Sequence, residues 1–236
     1  MAFGVKLEVW GEYAAFNRPE MKVERVSYDI MTPSAARGIL EAIYWKPEMR
    51  WVVDEIHVLA PIHFTSVRRN EVAGVIPVKG KTGAMKAMRS GSGLLGQDVQ
   101  EARQQRAALV LRDVRYGIAA HVKVLEDGDQ PSPEAKHLEM FKRRAAKGQY
   151  FHHPYLGVRE FPAAFRLVDE LPTPPDEFDG ERDLGFMLHD MEYVESDDGS
   201  VVDSNRGRRL EVIPRFFRAH MVNGVVKVPL LSEGRA

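Results

Sequence analysis

The chain has 236 residues, is 44% hydrophobic and 28% charged, and carries a formal net charge of −1, which suits a soluble protein of one large domain or a main domain with a smaller appendage. No apolar run approaches the roughly 20 residues that span a bilayer, and the N-terminus lacks the basic-then-apolar pattern of a signal peptide, so no membrane association is expected. With no cysteine there are no disulfides and no thiolate metal sites, and the expected location is cytoplasmic.

In chain order, Val5 to Trp10 alternates as Val-Lys-Leu-Glu-Val-Trp, the period-2 signature of a half-buried strand. Thr32-Pro33-Ser34 reads as a helix start, with Thr32 as N-cap and Pro33 at the first helical position. Ala36, Ile39, Leu40 and Ile43 then fall at helical spacing, and Lys46-Pro47 stops the helix. Tyr44 sits at its end, where Trp45 is expected to anchor the turn. Trp51 to Val67 reads as one or two strands bent at Pro61. Residues 72–98 are rich in glycine and basic side chains without sustained periodicity, which predicts an exposed excursion.

Ala107 to Leu125 is a long β-rich stretch. A Gly-Asp-Gln-Pro-Ser-Pro turn leads into a helix from about Pro133 to Lys147, closed by Gly148. Leu156 to Val168 reads as a further strand, and Pro172-Thr173-Pro174-Pro175 as a linker. Short strands follow at Leu184 to Val194, Leu210 to Phe217 and Gly224 to Val228, with turn signals at Asp198-Gly199 and Asn223-Gly224.

The order strand, helix, strand, insertion, strand, helix, strand predicts an α+β fold of the ferredoxin-like βαββαβ type. The expected division is a ferredoxin-like domain over 1–171, with an insertion at about 72–103, and a small C-terminal antiparallel β domain over 172–236. Such sheets often serve as RNA platforms, although fold alone does not establish function.

The near-neutral total hides an asymmetry. Between His63 and Arg106 stand Arg68, Arg69, Lys79, Lys81, Lys86, Arg89, Arg103 and Arg106, against Glu71, Asp98 and Glu101. From Asp169 to Asp203 acidic residues dominate, and Arg182 is the sole Lys or Arg. Binding to nucleic acid follows the local field rather than the sum.

On a wheel of 100° per residue, Leu138, Phe141 and Ala145 form the buried stripe of the second helix. Lys136, Arg143 and Lys147 share nearly the opposite side, with His137 and Arg144 between the faces. A basic row beside a helix N-terminus suits phosphate, though a solvated amphipathic helix has the same wheel. Tyr44 alone fits a packing tyrosine as well as a functional one, and no spacing shows that it meets His137. His152-His153-Pro154 is a poor metal pair, since adjacent histidines in a strand point to opposite faces. His121 reads as a satisfied strand histidine. Gly91-Ser92-Gly93-Leu94-Leu95-Gly96 resembles a phosphate loop in composition but is not followed by Lys-Ser/Thr. No Ser-His-Asp elbow and no nucleotide fingerprint are present, and no metal or cofactor is expected.

Several blocks, in order along nearly the whole chain, carry a family resemblance: Val9-Trp10-Gly11-Glu12-Tyr13-Ala14-Ala15-Phe16, Thr32-Pro33-Ser34-Ala35-Ala36-Arg37-Gly38-Ile39, Ile43-Tyr44-Trp45-Lys46-Pro47, Leu111-Arg112-Asp113-Val114-Arg115-Tyr116, Tyr155-Leu156-Gly157-Val158-Arg159-Glu160-Phe161 and Arg215-Phe216-Phe217. They resemble the CRISPR-associated Cas-five family, subtype I-C branch, of the RAMP superfamily. The resemblance implies an endoribonuclease that cuts precursor CRISPR RNA at the base of the repeat hairpin. It also implies that the protein stays on the 5′ handle within the type I-C interference complex (Cascade). It assigns catalytic roles to Tyr44, Lys136 and His137.

The expected RNA-binding residues are Lys46, Arg68, Arg69, Arg143, Arg144, Lys147 and Tyr155. The expected partners are precursor and mature CRISPR RNA, the backbone and large Cascade subunits, and target DNA near the complex. The alternative is a non-catalytic subunit that only caps the handle. Two departures from the family's pattern stand out: residues 72–98 are longer than it implies, and the C-terminal glycine-rich loop of the wider superfamily is not clear.

Overall fold

In the computed structural model the described residues are 4–21, 23–72, 74–75, 78–79, 83–92, 98–125, 134–202 and 209–235. Pro133, the turn before it, Lys81 and the glycine run at 93–96 lie outside them. The elements begin with β1 (Gly4–Ala14), β2 (Arg25–Val26), α1 (Pro33–Ile43), β3 (Met49–Val58) and β4 (His63–Val72). Next come α2 (Ala84–Ser90), α3 (Val99–Ala102), β5 (Arg103–Val124), α4 (Glu134–Ala146) and β6 (Ala164–Val168). The chain closes with β7 (Glu181–Glu195), β8 (Val201–Val202), β9 (Arg209–Val222) and β10 (Val225–Lys227).

Seven strands join in the order β6-β1-β5-β3-β10-β9-β7, each neighbouring pair antiparallel. The 22-residue β5 is the hub. One edge pairs first with β4 over Arg103 to Arg112 and then with β3 from Tyr116 onward, while the other carries β1. The change of partner falls at Asp113, one of two described non-glycine residues with positive φ (54°). Aspartate tolerates that left-handed conformation better than most residues, which lets the strand kink without breaking. The coarse expectation is met: a mixed α/β chain dominated by one antiparallel sheet, with few helices.

α1 and α4 pack on one face of the sheet. Val5, Leu7 and Val9 of β1 and Ile118, Ala120 and Val122 of β5 point to the core, together with Ile39, Leu40 and Ile43 of α1 and Leu138, Phe141 and Ala145 of α4. Phe141 meets Trp51 of β3 at 4.7 Å between ring centroids, edge-on at an interplanar angle of 62°, which joins helix to sheet.

The expected caps are present. Thr32 accepts from the Ala35 amide at 3.3 Å, with Pro33 in the first turn. α4 ends in Gly148 at φ 65°, where the Gly148 and Gln149 amides reach the Ala145 and Arg144 carbonyls at 3.0 and 2.9 Å. That is the paired closure a left-handed residue permits. β9 and β10 are joined by Asn223 and Gly224, at φ 48° and 76°, the signs a two-residue type I′ turn demands.

Two expectations are corrected. Of the strand proposed over Leu156 to Val168, only Ala164–Val168 forms one. Residues 156–163 loop past β1, with the Ala15 amide on the Leu156 carbonyl at 3.0 Å, so His152 and His153 lie in a loop too. Gly157, at φ 84°, runs so close that a Cβ there would stand 2.1 Å from the Ala15 oxygen, so no side chain fits. The excursion at 72–98 also contains helix α2, which the glycines on either side obscured in the sequence; Gly83 precedes it and Gly91, at φ 64°, ends it.

Candidate active site

The end of α1 is built to hold Tyr44 still. The last carbonyls of a helix lack intrahelical partners. Here the Ala42 oxygen accepts from the Phe151 and His152 amides at 2.8 and 3.1 Å, and the Ile43 oxygen from Arg144 at 3.2 Å. The Tyr44 oxygen accepts from the Trp51 indole at 2.9 Å. Trp51, 1% exposed, therefore anchors this turn. Trp45 does not: it stands 49% exposed, because the chain leaves the helix there and its side chain turns outward.

The first turn of α4 brings His137 to the same place. The Tyr44 hydroxyl lies 3.0 Å from His137 Nδ1, a hydrogen bond between residues 93 apart in sequence. Tyr44 is 3% exposed and His137 1%. His137, read from the wheel as lying between the faces, is thus on the buried one. Arg144 lies half-buried over the Tyr44 ring, 5.3 Å from its centroid.

Burial, opposed by Glu48 and assisted by Lys136 and Lys46, holds the His137 imidazole below its usual pKa. Burial and the nearby Glu48 carboxylate push the Tyr44 phenol up, against the pull of Arg144. Both groups are therefore neutral near pH 7. In one imidazole tautomer the phenol donates to Nδ1; in the other Nδ1–H donates to the phenol oxygen.

The other expected residues divide. Lys46 and Lys136 flank the pair and are exposed, Arg143 stands exposed on α4, and Lys147 stands exposed in the turn that follows it. Tyr155, 39% exposed, lines a cavity of about 250 Å³ near Thr32 and Ser34, at the opposite end of α1. An 11-residue helix is about 16 Å long, so Tyr155 is not part of the same cluster. Arg68 and Arg69 lie on β4; Arg69 is held by Glu160 and stacks on Phe161 at 5.3 Å. Sequence reasoning missed Glu48 and Trp51. Neither belongs to a motif: Glu48, in the turn before β3, comes within 4.0 Å of His137, and Trp51, on β3, reaches Tyr44 and Phe141 of α4.

His121 is partnered, as expected, by Asp54 at 2.9 Å. Among the described residues no group of three or more His, Asp or Glu side chains could hold a metal ion, and no helix is long and apolar enough to cross a membrane.

A wide antiparallel sheet with two helices on one face, and a buried Tyr–His pair flanked by lysines where those helices meet, defines the structural class. Residues 4–229 match the family described as CRISPR-associated protein (Cas_Cas5), in its Cas5d form. The chain belongs to the CRISPR-associated Cas5 family, in the Cas5d (subtype I-C) branch.

It is 49% identical over 233 residues to a protein of Mannheimia succiniciproducens named CRISPR pre-crRNA endoribonuclease Cas5d, covering 97% of this chain and 96% of that one. A protein of the same name from Thermus thermophilus is 45% identical over 247 residues, covering 98% and 97%. The crystal structure of a CRISPR-associated protein, 23% identical, shares the fold with a TM-score of 0.65 over 100% of this chain and 96% of that one. So does a functionally uncharacterized protein from Streptococcus mutans, 22% identical with a TM-score of 0.66 over the same shares.

Proposed function

We propose that this protein is an endoribonuclease that cleaves precursor CRISPR RNA at the base of the repeat hairpin and remains on the 5′ handle as a subunit of the type I-C interference complex. The observation that carries this reading is the Tyr44–His137 hydrogen bond, 3.0 Å across 93 residues, with Lys46 and Lys136 beside it. The two relatives named for the same activity, matched over nearly their whole length, support it.

The chemistry is transesterification. A 2′-hydroxyl loses its proton and its oxygen bonds to the adjacent phosphorus, the bond to the 5′-oxygen breaks, and a 2′,3′-cyclic phosphate is left. His137 and Tyr44 manage the proton; an imidazole that is neutral near pH 7 can accept one from the phenol. Lys136 offsets the charge growing on the phosphorane. These groups supply acid, base and positive charge among themselves, so the reaction calls for no metal. Lys46, Arg143, Arg144 and Lys147 line the approach for the phosphate backbone, and each phosphate they neutralise adds counterion release. Arg68, Arg69 and Tyr155 would contact RNA away from the cut.

The first half of the sheet reads as a ferredoxin-like domain over 1–171. Its strand order β6-β1-β5-β3, with α1 and α4 as the two crossovers, supports this. Residues 172–236 read as a small β unit attached where β10 pairs with β3. The near-complete burial of His137 also favours a second reading, a subunit that caps the handle without cutting it.

Purified protein incubated with end-labelled repeat hairpin in excess chelator separates the two. Cleavage leaving a cyclic phosphate is the expected result. Binding without cleavage would overturn the enzymatic reading and leave the cap, with the backbone and large Cascade subunits as partners and target DNA nearby.

A further inference from the structure

The Tyr44–His137 pair leaves one atom unaccounted for. His137 Nδ1 faces the phenol, but Nε2 is buried with no hydrogen-bond partner among the described residues. Buried polar atoms in folded proteins are nearly always paired, and an exception calls for a physical reason. Glu48 Oε1 stands 4.0 Å from that nitrogen, about 1 Å beyond a hydrogen bond.

The backbone at Glu48 is fixed. The Met49 amide closes a turn on the Lys46 carbonyl at 3.1 Å, and the Leu125 amide binds the Glu48 carbonyl at 2.9 Å. The carboxylate itself is 31% exposed, so a side-chain rotation can move it without disturbing the fold. Catalytic hydrogen bonds are often long before substrate binds and tighten afterwards.

We propose that Glu48 is a positioning residue whose carboxylate closes onto His137 Nε2–H when RNA docks, fixing the tautomer that turns the Nδ1 lone pair toward the Tyr44 hydroxyl. This rests on the endoribonuclease reading above. It specifies the path of the proton. Tyr44 Oη, as its own proton passes to Nδ1, takes the proton of the 2′-hydroxyl while the 2′-oxygen bonds to phosphorus. The positive charge then rests on an imidazolium held between the phenol and the Glu48 carboxylate. The P–O5′ bond breaks, the Lys136 ammonium protonates the leaving oxygen, and exchange with water restores both groups. The order of roles is that of a carboxylate orienting a histidine that serves a hydroxyl.

The other charged groups around the pair are Lys46 beside the turn, Lys136 on α4 and Arg144 over the phenol ring, all cationic. Among the described residues Glu48 is the one acidic group acting on either ring, so removing its charge has no substitute there.

The test uses the full chain, labelled repeat hairpin in excess chelator, and the variants Glu48→Gln and Glu48→Ala. Single-turnover rates are followed across pH, and the histidine ring nitrogens by NMR with and without RNA. The expected result is wild-type His137 bound to RNA as the Nε2–H tautomer, and a loss of that preference in both variants. Cleavage falls about 10–100-fold, taking as a guide the range for residues that orient a metal-bound histidine through its other ring nitrogen. Hairpin affinity is unchanged, and the acid limb of the rate profile moves to lower pH because a raising influence on the imidazole is gone. Unchanged rate, tautomer and profile in both variants would overturn the proposal. If the wild-type protein binds but does not cut, the endoribonuclease reading fails first. The tautomer measurement then decides the Glu48–His137 contact alone, and an Nδ1–H tautomer indifferent to Glu48 overturns it.

Discussion

Tyr44 and His137 are buried and joined by a hydrogen bond at the end of a helix whose last carbonyls are tied to named partners, whereas along the ribbon of β4 and the first half of β5 the cations Arg68 and Arg103 stand in solvent on strands that bury few side chains. Both regions are basic, but packing holds the first, and the second is held mainly by its ladder of backbone hydrogen bonds. Proton transfer needs groups fixed within fractions of an ångström, which burial supplies. Attraction to a phosphate backbone needs only charge at the surface, which an exposed ribbon supplies more readily. Packing fixes geometry in the first region, and the second offers exposed charge.

The largest effect should come from breaking the buried pair. His137→Ala, or Tyr44→Phe, which removes the hydroxyl with little change of shape, should lower the cleavage rate about 10²–10⁴-fold while hairpin affinity stays near the parental value. Parental single-turnover rates in both variants would show that the pair does no chemistry.

A smaller loss is expected where the same region is tied to the distant strands. Arg37 of α1 binds Asp190 of β7 through two nitrogens, at 2.6 and 2.9 Å, and Asp190 is 5% exposed. Arg37→Ala leaves that carboxylate poorly compensated and should cost about 2–3 kcal/mol, read from urea unfolding. An unchanged midpoint would mean that α1 and β7 stay together without the ion pair.

The ribbon should answer differently. Arg68→Ala with Arg103→Ala should weaken RNA binding and flatten its dependence on salt, by about 0.7–0.9 in the log–log slope for each phosphate no longer neutralised. The rate at saturating RNA should not move, and a fall in that rate would erase the contrast between the regions.

The smallest effect is on stability against pH. Burial lowers the His137 pKa below the reference 6.5 of the unfolded chain, so below that pH the unfolded state binds more protons than the folded one. The stability tied to neutral His137 is complete above about pH 6.5 and is lost as pH falls from there toward the folded pKa. His137→Gln should make the decline in unfolding free energy between pH 7 and 5 shallower. An equally steep decline would place the titrating group elsewhere.

What the sequence made legible was local. Thr32 and Pro33 start α1, Gly148 closes α4, Pro61 separates β3 from β4, and Asn223-Gly224 turns β9 into β10, because each acts through the backbone of its immediate neighbours. Leu138, Phe141 and Ala145 could be placed inside from periodicity alone. The site was legible only through family resemblance, since a hydrogen bond across 93 residues leaves no trace in spacing.

Trp45 and Trp51 show why. Both follow Tyr44 closely, and which one turns inward depends on the register of β3 against β5, where Trp51 lies opposite Val122. Glu48 was invisible for the same reason: its relevance comes from α4, 86 or more residues later in the chain. Local rules do not carry that information.

The unbroken run of β5 has a consequence for how this protein can vary. A strand of 22 residues at about 3.3 Å each extends some 70 Å, so residues near its ribbon end lie far from those beside α4. The partner change at Asp113 divides that length into two separately paired halves. Lengthening or shortening β4 and β5 together beyond Asp113, two residues at a time, would keep every side chain on its own face. The outer ribbon can therefore vary in length while the inner half, and whatever chemistry it supports, keeps its register.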